Sequence, residues 1–319
     1  METPFFDPSS GERLVESNGH LVGDSTGARI APIRQGIPRF VEDAEDYAEN
    51  FGWQWNRWTD ILSDSRTGQS EKRSLLLKRT HFADFDLQGK KILECGMGGG
   101  DDTEVFLSLP FGEVHAFDLS RAVDRAQRHI TDDRLTLSQA SIYSIPYEKQ
   151  SFDFVVCHRV IHHTPKPSDA LKCVCDMVKP GGVLFVESYR RSIYSMMNYK
   201  YKYRWITRHM RPEHVYGFVE KWGRTMHWVN NLLRRRSRFI RALAYNFVPF
   251  EHIPEYGSLG EEQILELEKL VTFDALTPRY DKPTTAKKLV DLIEKEGFCI
   301  EHLHDEFHST VYCTARRVA

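Results

Sequence analysis

The sequence predicts an α/β fold: seven strands in one open sheet with helices on both faces. Three observations predict it. Apolar strand-like runs alternate with helical stretches between about residues 90 and 189. A glycine-rich loop follows the first of these runs without a gap. A basic, aromatic stretch then interrupts the alternation before a helix and two closing strands.

Taken in order, residues 1–45 are short-period and turn-rich (RLVESNGHLVGDSTGARIAPIRQGIPRFV). Asn18-Gly19 and Thr26-Gly27 separate alternating stretches, so this part reads as a small β module. From Ala44 to about Asp84 the aromatic and polar spacing reads as helices, including NFGWQWNRW at Asn50–Trp58. Strands are expected at Lys91–Gly96, Glu113–Leu119, Leu135–Ala140, Phe152–His158 and Gly182–Ser188. Helices are expected near Thr103–Leu109, Arg121–His129 and Ser168–Val178. Strands apolar on both sides and joined by helices imply a parallel sheet covered on both faces. The domain reading is therefore a β module over 1–45, a core over 46–189, a helical insertion over 190–283 that roofs the core, and a return to the core over 284–319. The last part comprises a helix at Thr285–Glu296 and strands at Phe298–Asp305 and Ser309–Arg316.

Bulk properties narrow the function. An apolar fraction of 41% and an aromatic fraction of 12% suit a chain that buries a core, and a net charge of −2 excludes a wholly basic polyanion binder. No run approaches the roughly 18 apolar residues of a membrane span, and METPFFDPSSGERL has no apolar signal core, so a cytoplasmic protein is expected, at most peripheral to a membrane. Of the six cysteines only Cys173 and Cys175 are close, and on a helix they point to different faces. Buried free thiols and no metal are expected.

The loop ECGMGGGDDTE, Glu94–Glu104, carries the first chemical signal. Glycines after a strand let a backbone approach a ligand, and the next helix N-terminus offers free N–H groups. A dinucleotide loop of the form G-x-G-x-x-G, counted from Gly96 and Gly98, needs glycine where Asp101 stands; here the third glycine comes early, at Gly100. Asp101 and Asp102 would also repel a pyrophosphate. The form E-x-G-x-G-x-G, with Glu94 first, favours S-adenosylmethionine, whose amino-acid end carries an ammonium and no phosphate. Asp118 in VHAFDLS ends the next strand about twenty residues on, where a carboxylate can accept both ribose hydroxyls.

With SFDFVVCHRVIHHTPKPSDAL and the following KPGG, the chain resembles the class I S-adenosylmethionine-dependent methyltransferases over about 45–190 and 270–319. The resemblance is to the branch with E-x-G-x-G-x-G, acid-Leu-Ser, F-D-x-V, V-L-H-H-T-P-x-P and K-P-G-G. It implies a Rossmann-like seven-stranded methyltransferase sheet. It also implies that Glu94, Cys95, Gly96 and Gly98 surround the methionine end of the cofactor, that Asp118 binds the ribose, and that the adenine packs near Leu119 and Ile142. His158 would face the amino group or sulfonium. Ser141 stands where the family usually has an aspartate for the adenine amino group, so a shorter, weaker contact is expected there. GIPRFV followed by Tyr47, Phe51, Gly52, Gln54 and Trp55 resembles members that begin with a zinc-ribbon-like module. This chain has no cysteine in that region, so no zinc is expected, and Trp55 would close over the cofactor.

Methyl transfer needs an aligned nucleophile and, for a hydroxyl, a base. His162 and His163 lie just past the fourth strand, and either can be that base or a structural residue of the loop. Arg279, with Tyr280 beside it, is the expected contact for a substrate carboxylate or phosphate. Basic residues crowd YKYKYRWITRHMR and RRRSRFIR in the insertion. That surface suits an anionic small molecule or lipid-linked glycan, an anionic membrane surface, or single-stranded nucleic acid. It is equally a solvated face balanced by GEEQILELEKL. The expected activity is methylation, at oxygen, of a small-molecule, sugar or glycan-type acceptor. An RNA-modifying enzyme or a non-catalytic cofactor-binding scaffold is the alternative, and the oligomeric state stays open.

Overall fold

The computed structural model describes residues 2–41, 47–58, 64, 70–253, 259–305 and 310–318. Twelve strands among them form two sheets. Strands β1 (Glu2–Phe6), β2 (Arg13–Ser17), β3 (His20–Gly23), β4 (Arg29–Arg34) and β5 (Ile37–Pro38) make an antiparallel meander. Asn18 and Gly19 both take positive φ, 50° and 71°, as a two-residue hairpin turn requires.

The large sheet runs β11-β12-β10-β9-β6-β7-β8. Its strands are β6 (Lys91–Cys95), β7 (Glu113–Asp118), β8 (Leu135–Gln139), β9 (Phe152–His158), β10 (Val178–Tyr189), β11 (Phe298–Asp305) and β12 (Thr310–Arg317). Strands β6 to β10 are parallel, and β12 runs antiparallel between β10 and β11. The chain steps outward from β6 to β8, then returns to β9 on the other side of β6. That reversal is the switch point where ligands of open α/β sheets lie. The largest shift of an expected strand boundary is at β10, which begins at Val178, before the KPGG turn, with a register shift between Val178 and Val183.

Helices α1 (Glu49–Arg57), α2 (Glu71–Thr80), α3 (Asp101–Leu107), α4 (Val123–His129), α5 (Pro167–Cys175) and α11 (Ala286–Lys295) flank the sheet. One face buries Leu93, Cys95, Val155, Leu184 and Val186, in one cluster with Phe5, Leu14 and Leu21 of the meander. The other buries Ile92, Phe106, Phe154, Phe185 and Phe82. The meander also covers the β8 edge: Phe40 N–H donates to the Gln139 carbonyl at 2.9 Å, and the buried Arg39 guanidinium meets Gln139 and Asp124. An otherwise open edge strand is thereby closed.

The insertion contains α6 (Ile193–Met196), α7 (Tyr199–Thr207), α8 (Pro212–Arg234), α9 (Arg238–Phe247) and α10 (Glu261–Leu276). Its two ends meet, because Arg190 bridges Thr284 and the Arg191 N–H donates to the Thr284 carbonyl at 2.7 Å. Inside, Val215, Val219, Phe250, Leu270 and Phe273 surround Trp58 and Tyr199. Buried Glu268 accepts from His227 Nδ1 (2.6 Å) and His252 Nδ1 (3.0 Å), tying α8 and the segment after α9 to α10. Arg204 of α7 donates to the carbonyls of Ala275 and Pro278, which satisfies the exit of α10.

Four cysteines (Cys95, Cys157, Cys175 and Cys313) are buried, Cys173 is half-buried and Cys299 is exposed, so the expectation of buried thiols fails at Cys299. It alternates outward on β11, the sheet's edge strand.

Candidate active site

The loop after β6 folds as it does because three of its four glycines take positive φ. Gly96, Gly98 and Gly100 have φ of 80°, 54° and 93°, which L-residues with side chains rarely adopt. A Cβ on Gly96 would meet Val160 at 2.5 Å, and one on Gly98 would meet the Trp55 indole at 2.8 Å. The loop is thus pressed between the segment after β9 and α1, with Gly100 as the N-cap of α3.

Asp118 ends β7 beside this loop. Its Oδ2 accepts the Gly98 N–H at 2.9 Å, and its Oδ1 accepts both the N–H and the hydroxyl of Ser120 at 2.8 and 2.7 Å. Burial raises the carboxyl above its usual range, opposed by those three bonds. An ionised carboxylate has about four acceptor directions, so one remains toward the cavity and a second opens if the Ser120 hydroxyl turns.

A chain of charges, buried at Asp102, Glu187 and Arg79, lines the far side of the loop. Lys72 of α2 meets Asp102 at 2.6 Å, and Asp102 meets His158 Nδ1 at 2.5 Å. His158 Nε2 lies 3.3 Å from Glu187, which also holds Arg79 and Arg159 at 2.9 Å. Burial works to raise the Asp102 and Glu187 carboxyls, but the cations around them prevail and hold both below the usual range. Glu94 differs: burial and neighbouring Asp102 raise it well above that range, and it accepts the Thr103 hydroxyl at 2.6 Å.

One cavity joins these groups to a second, more apolar wall. Of the expected site residues, Trp55, Gly96, Gly98, Asp118, Leu119, Ile142, His158 and His163 line it. Glu94 and Cys95 lie beneath the loop, and Cys95 turns into the core. Buried Ser141 has its hydroxyl turned to the Tyr143 N–H at 3.3 Å, off the cavity wall. Arg279 is exposed and stands away from the cavity; Tyr280 packs edge-on against Tyr47, which is on its wall. The reason is that α10 ends at Leu276, so the helix presents Leu270, Val271 and Asp274 to the cavity and leaves Arg279 beyond its end. Lys72, Arg159, Tyr189 and Asp274 were missed by sequence reasoning. Only β10 and α10 folding together makes Asp274 a neighbour of Tyr189, whose hydroxyl donates to it at 3.4 Å.

The two histidines part company. His162 is fully buried behind the wall, and the Tyr189 N–H points at its Nδ1 from 3.4 Å. His163 lines the cavity, and its Nδ1 lies 3.0 Å from the Tyr280 carbonyl. A carbonyl only accepts, so Nδ1 carries the proton and Nε2 of the neutral ring carries a lone pair. Burial holds this imidazole below its usual value, although Asp274 and Asp281 pull the other way.

The site fits an adenosyl-sulfonium donor by the chemistry of its groups. Gly96 and Gly98 make a cradle that a Cβ would fill, Asp118 offers acceptors to a vicinal diol, Leu119 and Ile142 offer an apolar slot, and Lys72, paired with Asp102, lies on the same wall. Far from it, His81, Asp84 and His302 come within ligand reach of one another. Yet the two rings are stacked 3.8 Å apart and parallel to 3°, so their in-plane lone pairs do not converge on one point as metal ligation needs.

Residues 93–186 match the family model described as a methyltransferase domain. Curated relatives named ubiquinone biosynthesis O-methyltransferase include one from Shewanella sp. strain ANA-3, 28% identical over 113 residues, 34% of this chain and 48% of that one. Another, from Paraburkholderia phymatum, is 28% identical over 152 residues, 43% of this chain and 65% of that one. A third, from Azoarcus sp. strain BH72, is 32% identical over 111 residues, covering 33% and 47%. The chain thus spans about half to two thirds of the length of these relatives. A solved S-adenosylmethionine dependent methyltransferase from Mesorhizobium loti matches 78% of this chain and 99% of its own at 15% identity and a TM-score of 0.47.

Proposed function

We propose that this chain, whose residues 93–186 are a methyltransferase domain of the class I S-adenosylmethionine-dependent type, methylates a hydroxyl oxygen of a small, ring-bearing acceptor. The observation that carries the reading is a single cavity with a donor half, from Gly96 to Ile142, and an acceptor half that holds a neutral imidazole. Bound S-adenosylmethionine supplies an electrophilic methyl carbon on sulfur. Gly96 and Gly98 let that molecule lie close to the loop, and Asp118 fixes its ribose. Lys72 offers its ammonium to the carboxylate, while Asp102 and His158 hold Lys72 and the neighbouring wall in place.

The acceptor lies against Phe51, Tyr189, Leu270 and Val271, which exclude water and favour an apolar ring. His163 Nε2 would take the proton of the acceptor hydroxyl, while the bound donor would supply the methyl group. Asp274 holds the Tyr189 hydroxyl and so sets the width of this half. The curated relatives, named O-methyltransferases of ubiquinone biosynthesis, support oxygen as the atom methylated.

The test is turnover of isotopically labelled S-adenosylmethionine with phenolic, catecholic and sugar hydroxyl acceptors, read by mass spectrometry of the acceptor. Labelled methyl on a ring hydroxyl is expected. In His163→Ala that product falls about a hundredfold or more while donor affinity is retained, since a positioned base contributes about 10²–10⁴. Equal turnover in the variant removes His163 from the reaction.

A further inference from the structure

Fourteen of the sixteen exposed large hydrophobic side chains among the described residues lie between Ile193 and Phe247. They include Trp205 (68% exposed), Trp228 (63%), Phe239 (72%) and Phe247 (58%). The same stretch, Arg190 to Phe247, holds fourteen Lys and Arg against two acids, Glu213 and Glu220, so the rest of the chain is net acidic. On α9, Phe239, Leu243 and Phe247 recur at i, i+4 and i+8 and form one exposed stripe. The last turns of α8 add exposed Trp228 and Leu232. Between the two helices the turn carries Arg235 and Arg236, with Arg238 opening α9. All three arginines are exposed and none has an ion-pair partner among the described residues. At 1.5 Å of rise per residue, Trp228 lies within about 10 Å of Arg235 along α8, so indole and guanidinium share one tip.

From this juxtaposition we propose that the tip of the α8–α9 hairpin is a membrane-docking surface that takes the headgroup and upper acyl region of an anionic lipid bilayer. The apolar side chains enter the interface and the arginines meet lipid phosphates, as on amphipathic helices that lie in a bilayer surface. Two other occupants fit less well. Single-stranded RNA would use the aromatic rings and the charge, but gives Leu232 and Leu243 nothing to bury against. A second copy of this face would bring like charges together at close range. Among the described residues no helix is long and apolar enough to cross a membrane, so the contact is a surface one. The inference stands apart from the methylation reading, and neither falls with the other.

The test is co-sedimentation of the full chain with phosphatidylcholine vesicles, pure or containing about 30% phosphatidylglycerol, at low and moderate salt. Binding to the anionic vesicles alone is expected, weakening as salt rises. The variant with Arg235→Gln, Arg236→Gln and Arg238→Gln should lose about a hundredfold in vesicle affinity, and that with Phe239→Ser and Leu243→Ser about tenfold. Both variants are checked for unchanged circular dichroism and thermal midpoint, and Trp228 fluorescence should shift to shorter wavelength with vesicles in the parent chain. No sedimentation with anionic vesicles overturns the proposal. So does binding that survives in both folded variants, or an RNA 20-mer that binds equally to the parent and the Phe239/Leu243 variant while vesicles do not bind. A dimer in sedimentation velocity that the same variant abolishes, again without vesicle binding, overturns it in favour of a second copy.

Discussion

Asp118 accepts three hydrogen bonds from its own chain, and the ribose hydroxyls it would bind compete with the Ser120 hydroxyl for room. Donor affinity at this residue is thus a difference between bonds made and bonds given up. Asp118→Ala removes the acceptor and is expected to weaken S-adenosylmethionine binding about tenfold or more by calorimetry, because each hydrogen bond to a charged group is worth about 1.5–3 kcal/mol. His163 gives a second prediction. Its depressed pKa keeps the ring neutral as pH falls past the ordinary imidazole value near 6.5, so the acid limb of kcat/KM should fall below that value. A limb at or above it would mean that another group carries the titration. The motif residues were legible because the loop and the strand ends set their positions locally. Lys72, Tyr189 and Asp274 were not, since separate elements bring them to the cavity, and Arg279 lies off the cavity wall because α10 stops before it.

At the scale of elements, the glycine loop is held by what presses on it. Gly96→Ala puts a Cβ into Val160 and forces an unfavourable φ, which should cost about 1–3 kcal/mol and weaken donor binding. Adding Val160→Ala relieves the clash but not the φ, so a double-mutant cycle should show partial recovery in melting temperature. The insertion hangs on the Glu268 clamp. Glu268→Ala leaves buried His227 and half-buried His252 without their acceptor, and a loss of about 3 kcal/mol is expected in denaturant unfolding. Sheet strands were readable because both-face apolar runs are short and bounded by turns. The insertion was readable as helical and basic, but its packing was not: Trp53 and Trp58 pack with Tyr216 and Phe273, while Trp55, in the same run, turns to Gly98.

The whole molecule unites its small meander and its large sheet through one apolar cluster, in which Phe5 and Leu14 share neighbours with Val155 and Ala315. Calorimetry should therefore give one transition for the meander and sheet together; a separate early transition that deletion of residues 1–34 removes would contradict this. The two-module composition was legible in the turn signals, but their joint core was not, since no local pattern reveals which faces of distant strands meet. The position of β12 has a further consequence, one of timing. This strand follows all the others in the chain yet lies inside the sheet, paired in register with β10 from Val183↔Arg316 to Tyr189↔Thr310. Until it emerges during synthesis, β10 has one open side and β11 has no partner, so the growing chain exposes an unfinished sheet edge to its neighbours. Folding of the sheet waits for its last strand, and the crowded interval before that is when this protein is most exposed to aggregation.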